Sequence, residues 1–346
     1  MLVRRPPVPL AALLALLATS AAAQPGPDAR AERARFRDAA AYSRAHGGDA
    51  LLVVRGDSVV FEQYDNGYRA GRPHPIASGT KSFACALAAA AVEDGILAWD
   101  EPVAATVEEM ASPADRARVT VRHLLSLTSG LSPMNLGADG REARYHYANA
   151  PLLPMQAAPG ERWAYGDAQL DLFGELVRRK LAGRGEDPLA YLDRRVLRPI
   201  GLSGYTWARD AGGNPLLAGG AEMTARDWAR FGMLVRDGGR WQGRAVLREE
   251  LLGECFRGSA AQPAYGLVFW LNAPTPAGRA LYDGHGGLPG MVASLGFGNQ
   301  NLFVIPSLGL VVVRLGRPDD GYRPRELLAR LLGDPVPPLR PAAGAP

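Results

Sequence analysis

Lysine is almost absent: of 39 lysines and arginines, only Lys81 and Lys180 are lysine. Arginine serves wherever this chain needs only a positive charge, so each lysine calls for a specific reason. Cysteine is as scarce, with Cys85 and Cys255 alone, which excludes a small disulfide-stapled scaffold and cysteine-rich zinc modules. Cys85 sits in an Ala-rich run and is expected to pack as a small buried hydrophobe, while its pairing with Cys255 stays open. The five histidines contain no His-x-x-x-His spacing, and there is no Walker loop or dinucleotide fingerprint, so no metal and no cofactor are expected. The formal charge is only +4, with basic residues scattered among acids, which leaves no footprint for nucleic acid. No fixed-period repeat or long Gly/Ser linker divides the chain, and one compact unit is expected over residues 24–334.

With 346 residues, 47% hydrophobic and 21% charged, the chain has the composition of an enzyme-sized globular body. Its first residues carry Arg4 and Arg5, an apolar run from Leu10 to Ala18, and Ala21-Ala22-Ala23 before Gln24. That order reads as a cleaved signal peptide over residues 1–23, directing the protein to the periplasm or the medium. The apolar run falls short of the roughly 20 residues of a membrane span, and no cysteine follows to accept a lipid, so no stable membrane anchor is expected. Whether the arginine pair implies general or twin-arginine export is open, as is the oligomeric state. The Pro-rich residues 335–346 read as a disordered tail.

A helical stretch near residues 30–45 precedes two β-branched runs, Ala50–Val54 and Ser58–Glu62, which flank Arg55-Gly56-Asp57 as a hairpin. From residue 78 to about 256 the pattern is helical, with an Ala-rich run ending at Asp94-Gly95 and apolar residues at helical spacing over 168–181. Strand character returns at Tyr265–Leu271, Val292–Leu295, Leu302–Ile305 and Leu310–Leu315, and a final helix runs from Pro324 to Leu332. Strands from both ends must therefore share one sheet: the sheet part takes about 40–77 and 257–334, with the helical part between them.

Ser78 stands three residues before Lys81 in Ser78-Gly79-Thr80-Lys81. On a helix this spacing puts hydroxyl and amine on one face, within hydrogen-bonding range. Lysine, unlike arginine, can give up its proton when desolvated and then activate a serine nucleophile. A serine at a helix N-terminus also has backbone N–H groups aimed at a developing oxyanion. Ser-x-x-Lys alone is equally the pattern of an N-cap followed by a solvated lysine.

More of the chain decides between these. Ser78-Gly79-Thr80-Lys81-Ser82-Phe83 resembles the nucleophile helix of the serine beta-lactamase and penicillin-binding-protein superfamily, and His123–Leu131 and Ala158-Pro159-Gly160-Glu161 resemble two further stretches of it. The resemblance covers roughly residues 40–330 and implies an α+β fold of the beta-lactamase/transpeptidase kind, an antiparallel sheet flanked by helices with an inserted all-helical region. It implies catalytic roles for Ser78, Lys81 and Tyr165, the last lying in Tyr165-Gly166-Asp167 where the family has Tyr-x-Asn. Asp167 would orient Lys81. The family's third element, Lys-Thr-Gly or His-Thr-Gly, falls on Ser294-Leu295-Gly296, where only the glycine agrees. Gly296 would let substrate backbone approach, the N–H groups of Ser78 and Phe297 would form the oxyanion hole, and Ser294 would face substrate. Tyr145, Tyr147 and His285, the last in a His-Gly-Gly run, are further candidates for lining the pocket.

The expected activity is hydrolysis of a small ester, amide or peptide-like substrate through an acyl-enzyme. Loss of the family's cation on the third element makes esters and linear amides better substrates than beta-lactams or D-alanyl peptides. The competing reading from another class is a catalytically silent binding protein that keeps the fold.

Overall fold

The computed structural model describes residues 27–137, 139–273 and 280–335. The expected leader over 1–23, and all of the expected tail but Pro335, lie outside the described residues. Six antiparallel strands form the main sheet: β1 (Gly48–Arg55), β2 (Ser58–Tyr64), β3 (Trp270–Leu271), β4 (Val292–Gly296), β5 (Gln300–Ile305) and β6 (Leu310–Gly316), in the order β2-β1-β6-β5-β4-β3. The two ends of the chain meet in the middle of it, where β1 pairs with β6.

The central strands are apolar without alternation because both their faces are covered. Leu52 pairs with Val313 and Val313 with Leu302, and these join the core on one face. Their neighbours Leu51, Val53, Val312, Phe303 and Ile305 point the other way, into a second core under α1 (Pro27–Ala45) and the last helix, α5 (Pro324–Leu332). A one-residue slip in register would exchange these two sets, so both cores fix the pairing. The β1–β2 loop is the two-residue Gly56-Asp57, with Gly56 at a φ of 54°.

On the first face lies α2 (Ser82–Glu93), in which every residue from Ser82 to Ala91 is buried. Its alanines let neighbouring elements close in, while Phe83 stacks on Phe231 at a centroid distance of 4.0 Å. Phe231 belongs to α4 (Ala225–Arg236), which begins at the Thr224 cap and lies across the sheet. Helix α3 (Ala168–Leu181) has the bounds its periodicity predicts.

Two expectations are corrected, and the open pairing of Cys85 is settled. The inserted region is not all helical: residues 74–75, 206–207 and 221–223 form a small three-stranded sheet, and 240–241 pairs with 244–245. The strand expected over Tyr265–Leu271 is confined to its last two residues, because Val268 takes a φ of 59° and the chain folds back to bridge Tyr265 with Trp270. Cys85 is buried, but as one half of a disulfide with Cys255 that ties α2 to the turn at 254–256.

Candidate active site

Ser78 lies in a 3-10 turn, Ala77–Lys81, that leads into α2, rather than on the α-helix itself. The tighter turn aligns residues three apart more closely than an α-helix does. Lys81 Nζ accordingly lies 3.1 Å from Ser78 Oγ. Ala77, just before the serine, has a φ of 48°, a left-handed conformation that costs an L-residue about 1 kcal/mol, and Ser78 after it is half-buried between buried Ile76 and Gly79.

The turn is held from all sides. Thr80 Oγ1 donates to Ala77 O (2.6 Å) and accepts from Ala221 N (3.1 Å). Ser82 and Ser294 both donate to Gly79 O, at 2.8 and 2.9 Å. Gly79 itself faces Trp228, whose ring would lie 2.6 Å from an added Cβ. At Gly296 an added Cβ would lie 2.1 Å from Ile76 O. The third-element residues therefore brace the Ala77–Lys81 turn, which revises two expectations: buried Ser294 does not face substrate, and Gly296 makes room for the Ile76 carbonyl. Phe297 follows at the strand end, 80% exposed.

Lys81 is 1% exposed, yet its amine is fully provided for. Besides Ser78 Oγ it donates to Asp167 Oδ1 at 2.6 Å and to Ala218 O at 2.9 Å. Three oxygens, one of them the serine hydroxyl, thus stand within hydrogen-bond distance of the Lys81 amine. Asp167 stands at the N-cap of α3 but makes no capping bond with its side chain, because that carboxylate turns to Lys81 instead.

Tyr165 places its ring centroid 5.1 Å from Lys81 Nζ. It stacks on Trp270 at 6.0 Å and meets Trp163 and Tyr265 edgewise or tilted. The loop carrying Tyr165 is positioned by the 123–131 stretch: Ala164 N donates to Leu127 O, Gly160 N to Thr128 O and Gln156 N to Gly130 O. Gln169 ties Ser129 N to Ala164 O. That stretch is scaffold for the tyrosine, with His123 completing a capping box with Thr120.

The other candidates lie elsewhere. Tyr147 is buried against Gly174 and donates to Pro215 O at 2.7 Å, a core role that removes it from any pocket lining. Tyr145 is exposed on a turn beside Gly212. His285 pairs with Asp334, just past α5, at 2.9 Å; neither it nor Tyr145 has a bond or ring contact with Ser78, Lys81 or Tyr165 among the described residues. Sequence reasoning missed the Ala218 carbonyl, which no side chain announces, and the wall of Trp163, Tyr265 and Trp270, for which the aromatic residues around 263–270 were the available signal. Among the described residues no group of His, Cys, Asp and Glu is arranged to hold a metal.

The family model for Beta-lactamase matches residues 28–334. The chain belongs to the beta-lactamase family. Within this family it is similar to the 6-aminohexanoate-dimer hydrolase of Paenarthrobacter ureafaciens, 27% identical over 299 residues that cover 80% of this chain and 74% of the relative. The lovastatin esterase of Penicillium rubens is 28% identical over 201 residues, covering 45% and 49% of the two chains. Among solved structures, a family VIII carboxylesterase superposes with a TM-score of 0.70 at 18% identity, covering 87% of this chain and 96% of that one. This beta-lactamase-family chain thus has the expected fold and hydrolase relatives.

Proposed function

We propose that the protein is a serine hydrolase that cleaves ester or amide bonds through an acyl-enzyme on Ser78. The observation that carries this reading is Lys81 Nζ, buried and 3.1 Å from the Oγ of half-buried Ser78, with the Tyr165 ring centroid 5.1 Å away. Ser78 Oγ attacks the carbonyl carbon, and its proton passes into the Lys81–Tyr165 pair. The pair returns that proton to the leaving alcohol or amine as the tetrahedral intermediate collapses. Water then attacks the ester by the same route in reverse, freeing the acid and Ser78. The backbone N–H groups of Ser78 and Phe297 hold the oxyanion in this scheme.

Esters and linear amides suit the site better than beta-lactams or D-alanyl peptides, because Ser294 offers no cation to a substrate carboxylate and its hydroxyl is committed to Gly79 O. The signal-like leader and the paired cysteines support an exported enzyme, since disulfides persist in oxidising compartments.

The test is a fluorophosphonate probe read by intact-protein mass on wild type and Ser78→Ala, alongside turnover of a nitrophenyl ester and a chromogenic cephalosporin. Labelling and ester turnover that both vanish in Ser78→Ala are expected. Labelling without turnover of either substrate would make the protein a silent member, and turnover persisting in Ser78→Ala would remove Ser78 from the mechanism.

A further inference from the structure

The ion pair at the centre of the site is lopsided. Lys81 is 1% exposed in its side chain and Asp167 57%, so a molecule approaching the pair from solvent meets the Asp167 carboxylate before the Lys81 amine. Lys81 Nζ already has three oxygen partners within hydrogen-bond distance, on Ser78, Asp167 and Ala218. On Asp167 only Oδ1 is engaged; Oδ2 accepts no hydrogen bond among the described residues. A second carboxylate, Asp171, lies one turn further along α3, buried beneath and bonded to His146 and Asn135. Beside the pair stand the aromatic residues Tyr165, Trp270 and Trp163, whose ring faces attract cations. Among the described residues, no arginine or histidine pairs with Asp167 or bonds to Ser78 to offset this polarity.

We propose that Asp167 sets the substrate class: the site takes acyl esters or amides that carry a cationic group a few atoms from the scissile carbonyl, and rejects those carrying a carboxylate there. The proposal rests on Ser78 being the nucleophile. An incoming cation sits against Asp167 Oδ2 and the aromatic wall, giving the carboxylate a second partner without taking Oδ1 from Lys81. An incoming carboxylate meets like charge, and the buried Lys81 amine is already surrounded by three oxygen partners. The half-exposed position of Asp167 makes the preference moderate and sensitive to salt.

The experiment compares nitrophenyl esters of hexanoate, of its omega-trimethylammonio derivative and of the corresponding omega-carboxylate diacid, on wild type, Asp167→Asn and Ser78→Ala. The wild type is expected to favour the cationic over the anionic ester by about tenfold or more in kcat/KM, a factor that corresponds to about 1.4 kcal/mol. In Asp167→Asn that ratio falls toward one, whatever the variant loses in absolute rate through its contact with Lys81. Raising the ionic strength lowers the ratio in wild type, which tests the proposal even if the variant does not fold. A wild-type ratio near one, a ratio unchanged in Asp167→Asn, or one indifferent to salt overturns the proposal. Loss of neutral-ester turnover in Ser78→Ala without any charge preference sinks this inference alone, whereas turnover surviving in Ser78→Ala sinks the nucleophile reading with it.

Discussion

Replacing Gly296 by alanine places a methyl group 2.1 Å from the carbonyl oxygen of Ile76, where ordinary contact begins near 3.4 Å. The obstacle is backbone, with no flexible side chain to swing aside, so β4 and the Ala77–Lys81 turn must separate by about 1 Å, a displacement that can cost catalysis about a hundredfold. Overpacking of this kind destabilises by about 1–3 kcal/mol, so the variant is expected to fold with a lowered melting temperature. The loss in kcat/KM on a nitrophenyl ester should exceed what the stability change explains, because Ile76 leads directly into Ala77 and Ser78. Gly71→Ala is the matched control: nothing lies within 4 Å of its added Cβ, and it is expected to leave both quantities unchanged. A Gly296→Ala enzyme with wild-type kcat/KM and melting temperature would refute the claim that this glycine positions the nucleophile turn.

The Cys85–Cys255 bond closes a separation of 170 residues, worth about 5 kcal/mol by the chain-entropy argument, so melts with and without reductant should differ by many degrees; coincident melts would show that the bond contributes nothing. The contact between His146 and Asp171 should appear as a fall in stability with rising pH. The Asp171 hydrogen bond raises His146 above 6.5, and burial raises Asp171 above 3.8. Both groups bind protons more tightly folded than unfolded, so the contribution of His146 is full below about pH 6.5 and is lost as pH rises through its folded value. Subtracting melts of His146→Gln from wild type across pH 5 to 9 isolates this from His123, whose burial lowers it and acts in the opposite sense. A difference that does not shrink with rising pH would contradict the assignment.

The chain's pattern made most of the fold legible because burial on both faces leaves a strong local mark. Ala50–Val54, Leu302–Ile305 and Leu310–Val313 are continuous apolar runs, and the amphipathic repeat of Ala168–Leu181 matches its helix. Tyr265–Leu271 misled for a physical reason: aromatic and β-branched residues suit a strand, but they also suit a buried fold-back, and the left-handed Val268 that decides the matter carries no local signature. Tyr147 misled in the same way, since a tyrosine with a buried hydroxyl partner looks in sequence like one facing a pocket.

The site divides along a different line. The side chains proposed to carry the chemistry stood out by type and spacing, above all a lysine kept where arginine is the rule. What surrounds them did not, because the partners of Lys81 come from 86 and 137 residues away and one of them is a bare carbonyl. Ser294 shows the consequence most clearly. Read along the chain it occupies a substrate-facing place, yet the structure turns its hydroxyl onto Gly79 O, 215 residues away, where it braces the turn instead of touching what the turn attacks. The resulting division is physical: the chemistry a side chain could carry is written in residue type, whereas the direction it faces is set by which distant backbone reaches it first. The polarity of the Lys81–Asp167 pair belongs to the second kind. It follows from Lys81 being buried at the N-cap of α2 and Asp167 standing exposed at the N-cap of α3, so the proposed charge preference comes from the fold rather than from the Tyr-x-Asp spacing alone.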